Sequence, residues 1–363
     1  MDAFPFRKVI TPVVCSLLLA AGGTACSAGN EAPRDADTTD AALTGTLTGG
    51  GSTAQESAQS TWITALRDAN PGLEITYEAV GSGDGRANFI NGAYAFGATD
   101  SALGEDKGAL SAARKRCGGN PIQVPAYVSP IAVVYNLPGV DDLQLDPATV
   151  SGIFAGTITS WDDPAITATN PESDLPATPI VPVHRSDNSG TTKNFLSYLA
   201  EAGSFPADPA SLWPVEGGIA AAGTSGLVGA VSQDEGTIGY ADNSATKGMQ
   251  VARLKVGSAF VVPSAEGAAR LLSISRPAGA SARDLALDLA RATDDPSAYP
   301  NVLVSYLLAC PTYDDPATAR LVKAYLTYVL SEDGQKTAAT EARSAPLERD
   351  IANRAQLLVD KIA

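Results

Sequence analysis

Histidine is almost absent. His184 is the only one in 363 residues, so neither a Ser-His-Asp hydrolase nor a histidine-built metal centre has material to work with. Cysteine is scarce too: four are present and no pair has the spacing of metal ligands, so no metal is expected. Cations are outnumbered, 25 lysines and arginines against 40 acids, which leaves a net charge of −15. A nucleic-acid partner needs a basic face, and that charge balance excludes one. A small anionic ligand could not be drawn in by the long-range field either; local donors and an arginine would have to meet it. Beyond the extreme N-terminus no run is long and apolar enough to cross a bilayer. There is no repeat of solenoid type, no P-loop spacing and no G-x-S-x-G, and no cofactor is implied.

What is present begins with an export signal. Arg7 and Lys8 form a positive start, Val13 to Ala21 a short apolar stretch, and LLLAAGGTAC ends at Cys26. A run of small residues closing on cysteine resembles a lipobox, although Gly23 stands where a leucine is usual. The expectation is a leader over 1–26, with Cys26 acylated, and secretory cleavage without the lipid as the alternative; either way the mature chain lies outside the cytoplasm. Residues 27–42, SAGNEAPRDADTTDAA, are polar and nearly free of large apolar side chains, so a disordered tether is predicted there. Cys15 leaves with the leader. Cys117 and Cys310 remain, and in an oxidising compartment they are expected to pair, two separate buried thiols being the other reading.

From Leu43 onward strand-like and helix-like segments alternate, which predicts an α/β fold. The length suits two domains. LTGTLTGGGS reads as a strand into a Gly-rich turn. TAQESAQSTWITALRDAN reads as a helix with Ala58, Trp62, Ala65 and Leu66 on one face, stopped by Asn70-Pro71-Gly72. LEITYEAVGSGDG is a strand into a second such turn, RANFINGAY a short helix, and AFGATDS a strand ending at Asp100. IVPVHRSDNSGTTKNFLSYLAEAG is strand, loop and helix. NVLVSYLLAC is a buried strand, and DPATARLVKAYLTYVLSEDGQ a helix with Leu321, Tyr325, Leu326 and Val329 on one side.

Three Gly/Ser/Thr-rich turns fall where a strand hands over to a helix: GGGST at 49–53, GSGDG at 81–85 and DNSGTT at 187–192. Each can offer free backbone N–H groups and hydroxyls at a helix N-terminus, a ready anion site. One such turn usually does no more than turn the chain; three in one chain, the last beside Arg185, point to an oxyanion. Arg86 is the other guanidinium near a turn. Arginine suits a tetrahedral oxyanion through its forked donors. His184 is expected to be a strand-end residue beside the site, without a direct role.

The run VHRSDNSGTTKNFLSYL (183–199) resembles the signature of the PstS family, the phosphate-binding proteins of phosphate ABC importers. LTGGGST (47–53), YEAVGSGDGRANFINGAYAFGATDSAL (77–103), IAVVYNLPG (131–139) and DEGTIGYAD (234–242) follow the same family in order, as does IFAGTITSWDDPAI (153–166). The resemblance implies a two-domain periplasmic-binding-protein-like fold of type II, with a double-crossover hinge and a ligand cleft between domains. It places 43–126 with 300–363 in one domain and 127–299 in the other, with crossings near Ala126–Tyr127 and Tyr299–Pro300. It implies phosphate contacts from Thr53, Ala54, Ser82, Asp100, Arg185, Ser189, Gly190 and Thr191, supported by Ser52 and Asp187. Asp100 would accept a proton from the ligand. Ala54-Gln55 departs from the Phe-Pro of well-known members. By the same division Cys117 and Cys310 both fall in the first domain.

The implied partners are inorganic phosphate, the membrane permease subunits of an ABC importer, and the outer face of the cell membrane through the lipid, with the protein a monomer. Another oxyanion receptor, for sulfate or molybdate, is the alternative. A phosphatase-type enzyme would need a nucleophile with a base, or a metal cluster, and neither is visible, so an enzyme is not expected.

Overall fold

The computed structural model describes residues 42–105, 108–278 and 285–363. The predicted leader, Cys26 and the tether as far as residue 41 lie outside the described residues. The strands are β1 (Gly45–Gly51), β2 (Leu73–Glu78), β3 (Phe96–Thr99), β4 (Ile122–Tyr135), β5 (Gln144–Leu145), β6 (Val181–Arg185), β7 (Ile219–Ala221), β8 (Thr237–Asp242), β9 (Gln250–Val251), β10 (Arg253–Val256), β11 (Ala259–Val261), β12 (Arg276–Pro277), β13 (Leu287–Asp288) and β14 (Val302–Ala309). One nine-stranded sheet runs in the order β2-β1-β3-β14-β4-β8-β6-β7, with β9 pairing beside β4.

The middle of this sheet is β4 and β14, both apolar and buried almost throughout, as strands covered on both faces must be. β4 is long because it serves two partners: Ile122–Pro130 pairs with β14 and Ile131–Tyr135 with β8. Its two prolines lie where the ladder is already interrupted. Pro125 borders the register shift at Ser305/Tyr306, and Pro130 sits at the change of partner. A proline offers no N–H, so these are the positions where a central strand tolerates one.

The helices are α1 (Glu56–Ala69), α2 (Ser82–Ile90), α3 (Ala109–Arg116), α4 (Pro147–Phe154), α5 (Pro164–Thr167), α6 (Gly190–Gly203), α7 (Gly223–Gln233), α8 (Ala265–Ile274), α9 (Pro316–Leu330), α10 (Glu332–Ala342) and α11 (Arg349–Val359). On α1 the buried face is Ala58, Trp62, Ile63 and Leu66; the predicted Ala65 is half-buried. The Trp62 indole is fully enclosed and donates to the Gly334 carbonyl at 2.7 Å, which satisfies its one polar group inside the core.

Two helical readings are corrected. The helix expected over 86–94 starts at Ser82 and ends at Ile90, so the second Gly-rich turn is its first turn. The glycines there answer to packing: a methyl on Gly85 would lie 2.3 Å from the Gly51 Cα. The helix expected across 315–335 is two, broken at Ser331, whose extended backbone (φ −66°, ψ 160°) ends α9 and caps α10. Serine followed by Glu332 and Asp333 is an N-terminal signal in its own right.

Cys117 at the end of α3 and Cys310 just beyond β14 form a disulfide across 193 residues, with Cα atoms 5.0 Å apart.

Candidate anion-binding site

The C-terminal ends of β1, β3 and β6 each deliver one of the motifs. β1 runs parallel to both β2 and β3, and β6 parallel to β7 and β8. Beyond the carboxyl ends of parallel strands the chain turns into helices, which gathers helix N-termini at one edge. From β1 come Ser52 and Thr53, from β3 Asp100, and from β6 Arg185 with the turn into α6.

Asp100 is the centre of the arrangement and is only 3% exposed. Its backbone N–H donates to Ser82 Oγ at 3.1 Å, and the Ser82 hydroxyl lies 3.2 Å from Oδ2. Thr191 Oγ1, from the first turn of α6, approaches the same Oδ2 at 3.5 Å. Gly190 lies against both groups: a methyl there would be 2.5 Å from Ser82 Oγ and 2.8 Å from Asp100 Oδ2. Only glycine lets the helix start this close. The backbone N–H groups of Gly190 and Thr191 open α6, where no preceding turn can accept them.

Arg185 is 2% exposed. Its Nε donates to Asp187 Oδ1 at 2.6 Å and its Nη2 donates to Asp187 Oδ2. This two-point grip leaves the rest of the guanidinium to be aimed. Burial raises the Asp187 carboxyl's pKa, but the Arg185 hydrogen bonds and charge and the Gly223 N–H outweigh it and hold the group below its ordinary range. Gly223 N donates to Asp187 Oδ1 at 3.0 Å, so the start of α7 helps to fix the arginine's partner. The Arg185 backbone N–H donates to the Tyr240 hydroxyl at 3.2 Å, and burial pushes that phenol up to about 12.

The remaining predicted residues divide. Thr53 is buried and its hydroxyl meets that of Thr224, on α7, at 2.9 Å. Ala54 N–H donates to Ser52 Oγ at 3.1 Å, so the expected backbone donor is engaged by its neighbour. Ser189 caps α6, accepting from Thr192 N at 3.1 Å, while its own N–H goes to the Ser211 carbonyl at 2.8 Å; of the groups it could offer a ligand, the hydroxyl proton is the one left. Asp100, Ser82, Gly190 and Thr191 are thus in direct contact. Arg185 and Asp187 adjoin them through Gly81, where a methyl would lie 2.7 Å from Asp187 Oδ2. His184 stacks on Trp213 at 5.2 Å, outside the cluster. Arg86 donates to Thr99 Oγ1 at 2.7 Å, next to Asp100; burial lowers its pKa and the Asp100 charge works against that shift.

Three supporting residues carried no local signal. Ser305 Oγ donates to Asp100 Oδ1 at 2.5 Å. Asn194 Nδ2 donates to the Asp100 carbonyl at 2.6 Å, and its Oδ1 accepts from Arg291 Nη2 at 2.6 Å. Thr224 faces Thr53. Asn194 falls within the 183–199 run but had no role assigned there, Ser305 lies in a run read only as a buried strand, and only strand pairing brings Ser305 to the site: Tyr306 pairs with Thr99, which sets Ser305 beside Asp100.

Residues 36–333 match the model of the PBP superfamily domain. The phosphate-binding protein PstS2 of Mycobacterium bovis BCG is 35% identical over 285 residues, covering 76% of each chain. The chain belongs to the PstS family. Among solved structures, a high-affinity periplasmic phosphate-binding protein, PfluDING, bound with phosphate, aligns with a TM-score of 0.70 at 23% identity, covering 86% of this chain and 93% of that one. A putative phosphate ABC transporter substrate-binding protein from Clostridium perfringens, with bound phosphate, aligns with a TM-score of 0.61 at 18% identity, over 84% and all of the respective chains. At those identities the likeness is one of fold. It places the curled mixed sheet among PBP-like folds, the α/β class expected from the sequence.

Proposed function

We propose that this PstS-family chain is the extracytoplasmic receptor that binds hydrogen phosphate and delivers it to the membrane permease of an ABC importer. One observation carries the reading: a buried carboxylate, Asp100, faces the N-terminus of α6. A helix N-terminus attracts an anion, whereas a carboxylate repels one unless the anion brings a hydrogen. Hydrogen phosphate carries that hydrogen at neutral pH and sulfate does not, so Asp100 selects by leaving sulfate with an unpaired, repulsive contact. Arg185, Thr53, Ser82, Ser189, Gly190 and Thr191 supply the donors, with Ser52 and Asp187 behind them; Ala54 N–H joins them only by exchanging Ser52 Oγ for the ligand. The names of the family relatives and the phosphate bound in structures of the same fold support the ligand.

In this reading 43–126 with 300–363 and 127–299 are the two lobes. Thr53, Ser82 and Asp100 lie in the first and Arg185 to Thr191 in the second, so the ligand favours closure. The chain works as an exported monomer held at the outer face of the membrane through acylated Cys26. It is a binding protein, and no turnover of a chromogenic phosphate ester is expected.

The deciding experiment is calorimetry on the purified mature protein. Phosphate is expected to bind and sulfate to bind far more weakly, and Asp100→Asn should narrow that gap by offering sulfate an N–H. Equal affinity of the unsubstituted protein for the two anions would overturn the reading.

A further inference from the structure

Behind Asp100 runs a single file of buried side chains, each donating to the next. Tyr325 O–H donates to Gln59 Oε1, and Gln59 Nε2 donates to Gln55 Oε1 at 2.7 Å. Gln55 Nε2 then donates to Ser305 Oγ at 2.6 Å, and Ser305 Oγ to Asp100 Oδ1 at 2.5 Å. Gln55, Gln59, Ser305 and Tyr325 are all fully buried. Glutamine is mostly an exposed residue, so two in sequence one helical turn apart, with every amide function committed inward, form a built network.

The direction of the file is fixed by chemistry. Gln55 Nε2 also lies 3.5 Å from the Tyr306 carbonyl, which can only accept, so the amide nitrogen is the end that faces Ser305. A serine hydroxyl has one proton. With its oxygen accepting from Gln55, that proton goes to Asp100 Oδ1. Oδ1 is therefore engaged as an acceptor from the core side. Oδ2 is the oxygen on the α6 side, beside Gly190, where the hydroxyls of Ser82 and Thr191 reach it at 3.2 and 3.5 Å with protons that can rotate to a bound anion.

We propose that Gln55 and Ser305 are positioning residues that set the anion selectivity of this site, by fixing the Asp100 carboxylate so that its ligand-side oxygen, Oδ2, takes a hydrogen from the ligand. The inference rests on the reading of the site as a phosphate receptor and adds what enforces its choice. A carboxylate alone could rotate; here the bond from Ser305, itself oriented by Gln55, fixes which oxygen turns toward the ligand. Gln55 is also where the sequence departs from the Phe-Pro pattern, and a proline there would have no amide to head the file. The tyrosine at the far end sits on α9 and packs against Phe96 of β3 at 5.0 Å between rings, so the anchor is part of the core.

The test is calorimetric titration of phosphate and of sulfate into the mature full-length protein and its variants. Ser305→Ala is expected to weaken phosphate by roughly ten- to a hundredfold, the range for a lost hydrogen bond to a charged group. Sulfate affinity should stay level or rise, so that the phosphate-to-sulfate ratio falls by at least the same factor. Ser305→Thr, which keeps the hydroxyl, should restore the ratio to within about threefold. Gln55→Met keeps the volume without the amide, and should lower the ratio by less than Ser305→Ala, since Ser305 loses only its orienting donor. A Ser305→Ala protein that weakens for both anions by one factor has lost structure alone, and that result overturns the proposal, as does an unchanged ratio in both Ser305→Ala and Gln55→Met. Equal binding of the two anions by the unsubstituted protein overturns the receptor reading itself, and appears before any substitution is made.

Discussion

At the scale of single residues, Gly190 separates what folding needs from what the site needs. Glycine is a poor helix former, and alanine in its place gains up to about 1 kcal/mol in a helix interior, less at a terminus. Yet the added methyl would come within 2.5 Å of Ser82 Oγ and 2.8 Å of Asp100 Oδ2, a space that a bound oxyanion's donors also frame. Gly190→Ala is therefore expected to keep a thermal midpoint within a few degrees of the parent while losing phosphate affinity by on the order of a hundredfold, the cost of displacing two close polar partners. Thermal unfolding beside calorimetry checks it; full affinity in the alanine variant would mean that the close approach is not required. The residue scale is also where the sequence was most readable. Arg185, Asp187, Ser189, Gly190 and Thr191 lie in one unbroken run, so their proximity needs no fold. Ser305 and Asn194 were out of reach because their relation to Asp100 is made by strand register and by an α6 side chain across 205 and 94 residues.

At the scale of elements, strand and helix existence followed from alternation and apolar runs, but boundaries did not. The break at Ser331 shows why. The amphipathic pattern of Leu321, Tyr325, Leu326 and Val329 continues smoothly into the next helix, and hydrophobic periodicity does not register a one-residue change of ψ. The local chemistry does: Ser331 Oγ accepts from Gly334 N at 3.1 Å and lies 2.6 Å from the Tyr328 carbonyl, to which it donates. Gly334 in turn presents its carbonyl to the Trp62 indole, so the break sets where α10 meets α1. Loss of an N-cap hydroxyl costs about 1 kcal/mol. Ser331→Ala should lower unfolding stability by about that amount in urea titration and leave phosphate affinity unchanged, since the cap lies apart from Asp100 and α6. A loss of 3 kcal/mol or more would show that the cap holds the α1–α10 contact as well.

At the scale of the whole molecule, the place where β4 changes partner is held by more than its ladder. Ile131 N donates to the Asn301 carbonyl at 2.7 Å, and the Ile131 carbonyl accepts from Tyr299 O–H and Asn301 Nδ2. Opposite Ile131 stands Asp242, fully buried, whose Oδ1 accepts from Tyr127 O–H at 2.9 Å and from Ser244 N–H and O–H. Tyr127 O–H also lies 3.3 Å from the Ala342 carbonyl at the end of α10. Burial is the dominant influence on Asp242 and raises its pKa to about 6, with the hydrogen bonds from Ser244, Ser129 and Tyr127 pulling the other way. The sign of the linkage follows. Below about pH 4 the carboxyl is protonated in both folded and unfolded chains, and it contributes no pH dependence. Between about pH 4 and 6 the folded chain keeps a proton that the unfolded chain has released, so this group makes stability fall as pH rises. Above about pH 6 its full cost applies, on the order of 3 kcal/mol for a shift of that size. Asp187, held below its ordinary range by Arg185, works in the opposite sense, its stabilisation being lost as the pH falls. Single curves of stability against pH therefore mix the two, and the difference between parent and variant isolates one. Asp242→Asn keeps an acceptor for Tyr127 and Ser244 but cannot ionise. At pH 4 it should be the less stable protein by about 1–2 kcal/mol, because its amide nitrogen enters a site with no built acceptor. From pH 4 to pH 7 the balance should move in its favour by about 2 kcal/mol, read as urea unfolding free energies at each pH. A parent-minus-variant difference that stays flat across that range would mean that Asp242 is already ionised in the folded chain at pH 4.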